Sequence, residues 1–307
     1  MTFDSLLVGA GGTASLLYLI YWLLNNRKKT DVTGKVVLIT GAGSGLGKAC
    51  AEVFFKHGCK VILAGRNVQQ LQEVKSSLAD QLPKHKSHLA VLQVDLADVS
   101  SLEKKGDEAV DIFGHVDILI NNAGISYRGS IQDTDIDVHM KVMTVNYFGQ
   151  IALTKAILPH MQQSRSGHIV AVSSVQGRIS QAYRSAYAVS KHAIQAYFDC
   201  LRAEMSSSGI HVCVVSPGYI QTNLSRNAVC ADGSNYGVLD KTTAEGLPPE
   251  KVASLILKAV ESHQPEIIPA KFIYRLVIIL RALFPRLVFW ILAKRAKKQR
   301  KDYIKST

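Results

Sequence analysis

Past Gly34, short β-branched runs alternate with longer stretches of helical periodicity, and no other feature of the chain restricts its fold as much. Residues 35–40, 60–64, 89–94 and 116–120 read as strands, with helical patterns at 50–56 and 71–78 between the first three. A strand at 168–172, a helix from about 186 to 205 and a strand at 211–215 continue the series. Strands separated by helices return in parallel through crossovers and bury both faces of their sheet. The expected class is therefore α/β, a doubly wound parallel sheet of the Rossmann kind. No Pro- or Gly-rich linker interrupts this block, so residues 31–270 are read as one domain. Within it residues 217–247 are polar and irregular, which suits a functional lid better than a simple connection. A helix at 249–262 and a short strand at 266–268 complete the domain.

Both ends differ from this body. Residues 5–24 carry no charge, and Asn25-Asn26-Arg27-Lys28-Lys29 follows them. As helix, at about 1.5 Å per residue, such a stretch reaches across a bilayer core of roughly 30 Å. A basic cluster after the apolar run argues for a retained signal-anchor over a cleaved signal, with the body facing the cytosol. Residues 1–30 are thus expected to be transmembrane; a helix buried on the domain is the alternative. The net charge of +12 sits mostly at the other end, where eleven Lys and Arg from Lys271 onward face one acid, Asp302. Interleaved with Phe, Leu, Ile and Trp, that charge suits an anionic membrane surface and excludes nucleic acid as the partner. Lys271, Arg275, Arg281 and Arg286 fall within an arc of about 140° on a helical wheel. Residues 271–307 are accordingly read as an amphipathic, basic, membrane-associating segment. The five cysteines are odd in number and lack metal-ligand spacing, so no metal is expected.

Chemistry enters with Thr40-Gly41-Ala42-Gly43-Ser44-Gly45-Leu46-Gly47, directly after the first strand. Glycines there let backbone approach a pyrophosphate at the positive end of a helix, and Thr40, Gly41, Gly45 and Gly47 are assigned to that turn. Its Thr-Gly-x-x-x-Gly-x-Gly spacing departs from G-x-G-x-x-G. After the second strand, where an acid would hold a ribose hydroxyl, stands Arg66. A guanidinium fork fits a 2′-phosphate, which favours NADP(H); a solvated surface charge is the plainer alternative. Asp95 and Asn122 lie at the carboxyl ends of the third and fourth strands, where such sheets bind ligand.

Ser173-Ser174 ends a strand, and Tyr187-Ala188-Val189-Ser190-Lys191 opens a helix. Tyr187 and Lys191 are four residues apart, so phenol and ammonium share a face. A neighbouring cation is expected to pull the phenol below its reference pKa near 10, towards use at neutral pH. Reduction of a ketone needs a proton for the nascent alkoxide while hydride arrives, and Tyr187 supplies or accepts it in either direction. Ser174 is placed to hold the reacting oxygen of the substrate.

With these motifs in this order the chain resembles the short-chain dehydrogenase/reductase family over about residues 34–268. The resemblance implies that Asn146 helps hold a water relaying protons to Lys191, and that Lys191 also binds the cofactor ribose. It implies that Pro217, Gly218 and Thr222 contact the nicotinamide end, and that Ser44 and Leu46 line the pyrophosphate turn. Tyr127-Arg128-Gly129, Ala231-Asp232-Gly233-Ser234 and the apolar front end are similar to one subgroup, for which acyl- or alkyl-dihydroxyacetone phosphate has been suggested as ketone substrate. The expectation is a membrane-bound oxidoreductase acting on a lipid-like carbonyl or alcohol, with the endoplasmic reticulum as its first membrane and the peroxisome as its second. A steroid or retinoid dehydrogenase and a nucleotide-binding scaffold without turnover share the fold, and homo-oligomerisation stays open. Asn223-Leu224-Ser225 fits a glycosylation pattern by chance in this reading, because it lies in the lid.

Overall fold

A computed structural model of the chain describes residues 29–304, together with 15, 16 and 18. The expected membrane segment at 1–30 lies almost wholly outside the described residues. Among residues 29–304 the strands and α-helices are β1 (Val36–Thr40), α1 (Gly45–Lys56), β2 (Lys60–Gly65), α2 (Val68–Gln81), β3 (Leu89–Gln93), α3 (Leu102–Phe113), β4 (Ile118–Asn121), β5 (Tyr127–Arg128), α4 (Ile136–Met143), α5 (Gly149–Ser164), β6 (Gly167–Val172), α6 (Ser185–Glu204), β7 (Ile210–Val215), β8 (Val229–Cys230), α7 (Lys241–Ala244), α8 (Pro249–Glu261), β9 (Glu266–Ile267), α9 (Phe272–Leu283) and α10 (Pro285–Ile304).

Seven strands form one sheet in the order β3-β2-β1-β4-β6-β7-β9, every neighbouring pair parallel. All five residues of β1 are buried, as a strand covered on both faces must be. Alternate residues serve opposite layers. Val37 and Ile39 pack with Phe54 and Phe55 of α1, Leu71 of α2 and Ile256 of α8. Val36 and Leu38 pack with Leu102 of α3, Leu153 of α5 and Phe198 of α6 on the other side. The chain reverses its direction of winding between β1 and β4, which opens a crevice at the carboxyl ends of these strands. β5 and β8 form a separate parallel pair above that crevice.

Six elements escape the sequence pattern: α3, β5, α4 and α5, and, within the stretch read as irregular, β8 and α7. Between α4 and α5 the backbone makes one π-turn, Thr144–Phe148, so residues 136–164 run as nearly continuous helix. The carboxyl segment, read as a single interfacial stretch, is instead two helices broken at Phe284 and Pro285. Val288 is buried, whereas Phe272, Leu283, Phe284, Phe289 and Trp290 stay exposed. No helix among the described residues is long and apolar enough to cross a membrane.

Candidate active site

The turn between β1 and α1 has the shape its glycines imply. Gly41 and Gly45 hold φ of +68° and +52°, a region that side chains disfavour. A Cβ on Gly47 would overlap the carbonyl oxygen of Gly41 and lie 2.6 Å from Nδ2 of Asn122. Ser44 precedes the helix with extended backbone and makes no side-chain capping bond, so its hydroxyl and the first amides of α1 stay available to an anion. Leu46 is buried beneath them. Thr40 Oγ1 accepts from the N–H groups of Asn122 and Ala123, both at 3.0 Å, and Asn122 Nδ2 donates to Thr40 O at 2.9 Å. Asn122, expected at the cofactor, thus braces β1 against β4 and sets the width of the crevice. This cradle fits a pyrophosphate: positive-φ glycines, a helix amino terminus and an uncommitted hydroxyl.

At its outer end Arg66 is exposed just past β2, and no carboxylate among the described residues lies within ion-pair distance. Asp95 is also exposed, and one of its oxygens accepts from Ala97 N–H at 2.9 Å. That turn bond leaves the second oxygen for a ligand. At the inner end the lid closes over the turn, with Thr222 Cγ2 3.0 Å from where a Gly45 Cβ would stand. Pro217 O accepts from Val175 N–H at 2.9 Å, and Gly218 N–H donates to Pro269 O at 3.1 Å. These bonds tie the start of the lid to the strand ends.

Tyr187 and Lys191 lie on one face of α6, as their spacing predicts, and both are buried. Lys191 Nζ donates to Val172 O at 2.8 Å and stands 5.7 Å from the centroid of the Tyr187 ring. The expected lowering of the phenol by this amine does not occur. Burial raises the Tyr187 pKa; hydrogen bonding with the Ser174 side chain and then the charge of Arg128 act against the rise. Burial also depresses Lys191, to about 8. Desolvation of both groups therefore outweighs their attraction. Ser174 Oγ accepts from Gln176 N–H at 3.1 Å, which orients it at the strand end. Ser173 Oγ donates to Lys191 O at 2.9 Å and pins α6 to β6.

Asn146 occupies the π-turn, a deviation that recurs at functional positions. Its Nδ2 donates to Ile125 O at 2.9 Å and Ser190 Oγ at 3.0 Å, while Oδ1 accepts from Ile125 N–H at 2.8 Å. Asn146 Oδ1 and Lys191 Nζ converge on Gly124, 3.0 and 3.5 Å from where a Cβ would sit. All four residues assigned to proton transfer are thus brought to one place.

Three residues that sequence reasoning did not assign complete the cleft. Arg128, on β5, is buried; its Nη2 donates to Asp240 Oδ2 at 2.5 Å and its Nη1 to Ser126 Oγ at 2.7 Å. Arg184, at the start of α6, reaches the same carboxylate at 3.5 Å. Burial and then Arg128 lower the Arg184 pKa to about 10. Two guanidinium groups share one carboxylate, so a positive charge is left over, close enough to act on Tyr187. Nε of Arg128 is buried without a hydrogen-bond partner. Asp240 belongs to the lid and is held there by its own N–H donating to Ser225 Oγ at 3.1 Å. Ser225, the last residue of the glycosylation pattern, is buried.

The sequence pattern describing "short chain dehydrogenase" proteins matches residues 35–232. The chain belongs to the short-chain dehydrogenase/reductase family. It is 53% identical to the rat protein "Dehydrogenase/reductase SDR family member 7B" over 97% of this chain and 91% of that one. The zebrafish (Danio rerio) member 7B protein is 51% identical over 94% of each chain, and the Drosophila melanogaster "Dehydrogenase/reductase SDR family protein 7-like" is 48% identical over 91% of this chain and 86% of that one. Among solved structures, a short-chain dehydrogenase from Streptomyces avermitilis superimposes with a TM-score of 0.72 at 28% identity, covering 87% of this chain and 99% of that one. A Burkholderia phymatum family protein in complex with NAD gives 0.74 at 24% identity, with 84% and 96% covered. The chain is thus an oxidoreductase of this family and resembles its member 7B proteins over nearly its full length. The subgroup that its Tyr127-Arg128-Gly129 segment resembles in sequence is the one the whole chain matches.

Proposed function

We infer that this family member is a membrane-bound, NADP(H)-dependent reductase of a lipid-like ketone that carries an anionic head group, with acyl- or alkyl-dihydroxyacetone phosphate as the fitting case. The observation that carries the reading is the pair of buried Arg128 and half-buried Arg184, served by the single carboxylate of Asp240, with Arg128 close enough to act on Tyr187. An unbalanced guanidinium pair recognises phosphate or carboxylate and has no use for a neutral steroid or retinoid. The solvent-facing apolar residues of α9 and α10 border the same cleft, since Tyr274 of α9 meets Tyr219 of the lid edge-on at 6.0 Å. They supply a route for an acyl chain and a surface that can rest in a bilayer.

A bound nicotinamide supplies the hydride. The protein does the rest. Thr40 to Gly47 hold the pyrophosphate, and Arg66 favours a 2′-phosphate. Ser174 positions the ketone oxygen, and Tyr187, kept protonated by its burial, gives it a proton as the alkoxide forms. Lys191 and Asn146 keep the far side of Tyr187 polar, so that the proton can be replaced.

The test is a spectrophotometric assay of the purified full chain with NADPH, on matched ketones with and without a phosphate. Reduction should be faster with the phosphate ketone and slower with NADH in place of NADPH. Arg184→Met should raise KM for the phosphate ketone by about 10- to 150-fold, the worth of a charge-assisted hydrogen bond, with little effect on the neutral ketone. Equal KM values for the two ketones in wild type would refute the anionic substrate.

A further inference from the structure

The crevice occupies the carboxyl ends of the strands. At their opposite ends the fold assembles a second group of polar side chains that the reaction does not use. His168 of β6 and His211 of β7 are register partners on adjacent parallel strands, so both project from the same face of the sheet. The turn after α8 packs on that face and adds His263. The ring centroids of His168 and His211 are 5.0 Å apart, those of His168 and His263 4.9 Å, and those of His211 and His263 3.9 Å. One nitrogen from each ring can be chosen so that all three lie within 4.8 Å of one another, the only such group of potential metal ligands among the described residues. They border a cavity of about 110 Å³ that also touches Thr30, Lys35 and Asp117.

Two independent features point the same way. His263 occupies a position where the backbone asks for glycine. His263 N–H donates to Val260 O at 3.2 Å and Gln264 N–H to Ala259 O at 2.9 Å, the paired bonds that end a helix through a left-handed residue. His263 has φ +53°, so an imidazole is kept where glycine would be less strained. The ring is also oriented from behind. Its Nε2 meets Thr30 Oγ1 at 2.7 Å, and its Nδ1 faces His168 Nε2 at 3.0 Å. With the Nε2 proton donated to Thr30, the Nδ1 lone pair turns towards the other two rings, the outer contact that metal-bound histidines usually have. Burial, then the neighbouring His211 and His263, push His168 down to about 3, so it is neutral, as a ligand must be.

We propose that His168, His211 and His263 form a binding site for a divalent transition-metal ion of the zinc class, remote from the catalytic cleft. Three imidazoles suit zinc, nickel or copper(II), and water would fill the remaining position. The ion would take the place of the proton between His168 Nε2 and His263 Nδ1, and that proton would move to Nδ1 of His168, so the ring stays neutral. Because Thr30 N–H also donates to Glu261 O at 2.7 Å, the metal would clamp the segment that enters the domain from the amino-terminal side to the amino ends of β6 and β7.

The experiment uses the full chain in detergent, purified without a histidine tag and stripped with a chelator, then titrated with cobalt(II) and separately with zinc(II). Wild type should develop the visible absorption of a low-symmetry cobalt centre, saturating at one ion per chain, and zinc should abolish it and raise the melting temperature. His263→Gly suits the backbone and keeps the fold, which its unstripped ketone-reducing activity and melting curve verify; it should show neither the band nor the zinc-dependent rise. Thr30→Val should bind cobalt about 10-fold more weakly, the usual cost of losing such an outer contact. No saturable band in wild type, or the same band and the same rise in His263→Gly, would overturn the proposal.

Discussion

In the cleft, Lys191 sets charge against environment. Its amine is buried beside Val172 O, and its pKa falls from 10.5 to about 8. Below pH 8 the amine is protonated in both folded and unfolded chains, and burying the charge costs stability. Between pH 8 and 10.5 the folded chain gives up the proton first, the unfolded chain binds more protons, and stability rises with pH. Denaturant unfolding of wild type and Lys191→Met across this window should show the gap between them shifting in favour of wild type as pH rises. A constant gap would mean that the amine is not desolvated. Tyr187 obeys the opposite demand, because a raised pKa keeps the phenol charged with its proton for reduction at neutral pH. Tyr187→Phe should lose about 10²- to 10⁴-fold in turnover, the usual worth of a placed acid, while binding NADPH as before; retained turnover would move the proton donor elsewhere. The tyrosine and lysine were legible because four residues on a helix are neighbours by geometry. Arg128, Arg184 and Asp240 were not, because they come from a short strand, a helix start and a lid and meet only after folding. The same holds for His168, His211 and His263, which no linear spacing marks.

At the scale of elements, the first βα turn was read almost residue by residue, since glycine placement alone specifies it. The prediction there is steric. A methyl group at position 47 meets the Gly41 carbonyl and the Asn122 amide, neither of which is free to retreat. Gly47→Ala should therefore cost roughly 1–3 kcal/mol in stability, as overpacking does, and weaken NADPH binding as the turn opens. Calorimetry and cofactor titration would check it, and an unchanged melting temperature with normal affinity would contradict the geometry. Helices α3 and α5 were missed for a related reason. Gly106 in α3 looks like a helix breaker, yet a Cβ there would collide with Ala156 of α5, so the glycine exists to let the two helices touch. Pro159 stands inside α5 and is tolerated in the same way. Tertiary contact overrode local preference at both points. The π-turn between α4 and α5 leaves no periodic signal at all, although it sets where Asn146 lands.

For the molecule as a whole, the alternation of strand and helix was enough to foresee the sheet, its parallel pairing and the end of it that holds the site. The shape of the carboxyl segment was not foreseen, because basic and apolar residues alternate identically along one bent helix or two. Its solvent-facing Phe289 and Trp290 lead to a prediction for the intact fold. A chain starting at residue 29 should still sediment with vesicles containing anionic lipid, and salt should weaken the interaction. Replacing both aromatics with Glu should release it, whereas binding unaffected by that change would assign membrane contact to other surfaces. The cavity between the lid and α9, bounded by Tyr219, Leu247, Lys271 and Tyr274, then takes on a kinetic meaning. On the proposed membrane-bound reading, α9 would lie among head groups, this cavity would open sideways into the bilayer, and a substrate would arrive by lateral diffusion without entering water. Turnover would then follow the mole fraction of ketone in the surface, and diluting the vesicles with plain lipid would slow the enzyme even at constant total substrate.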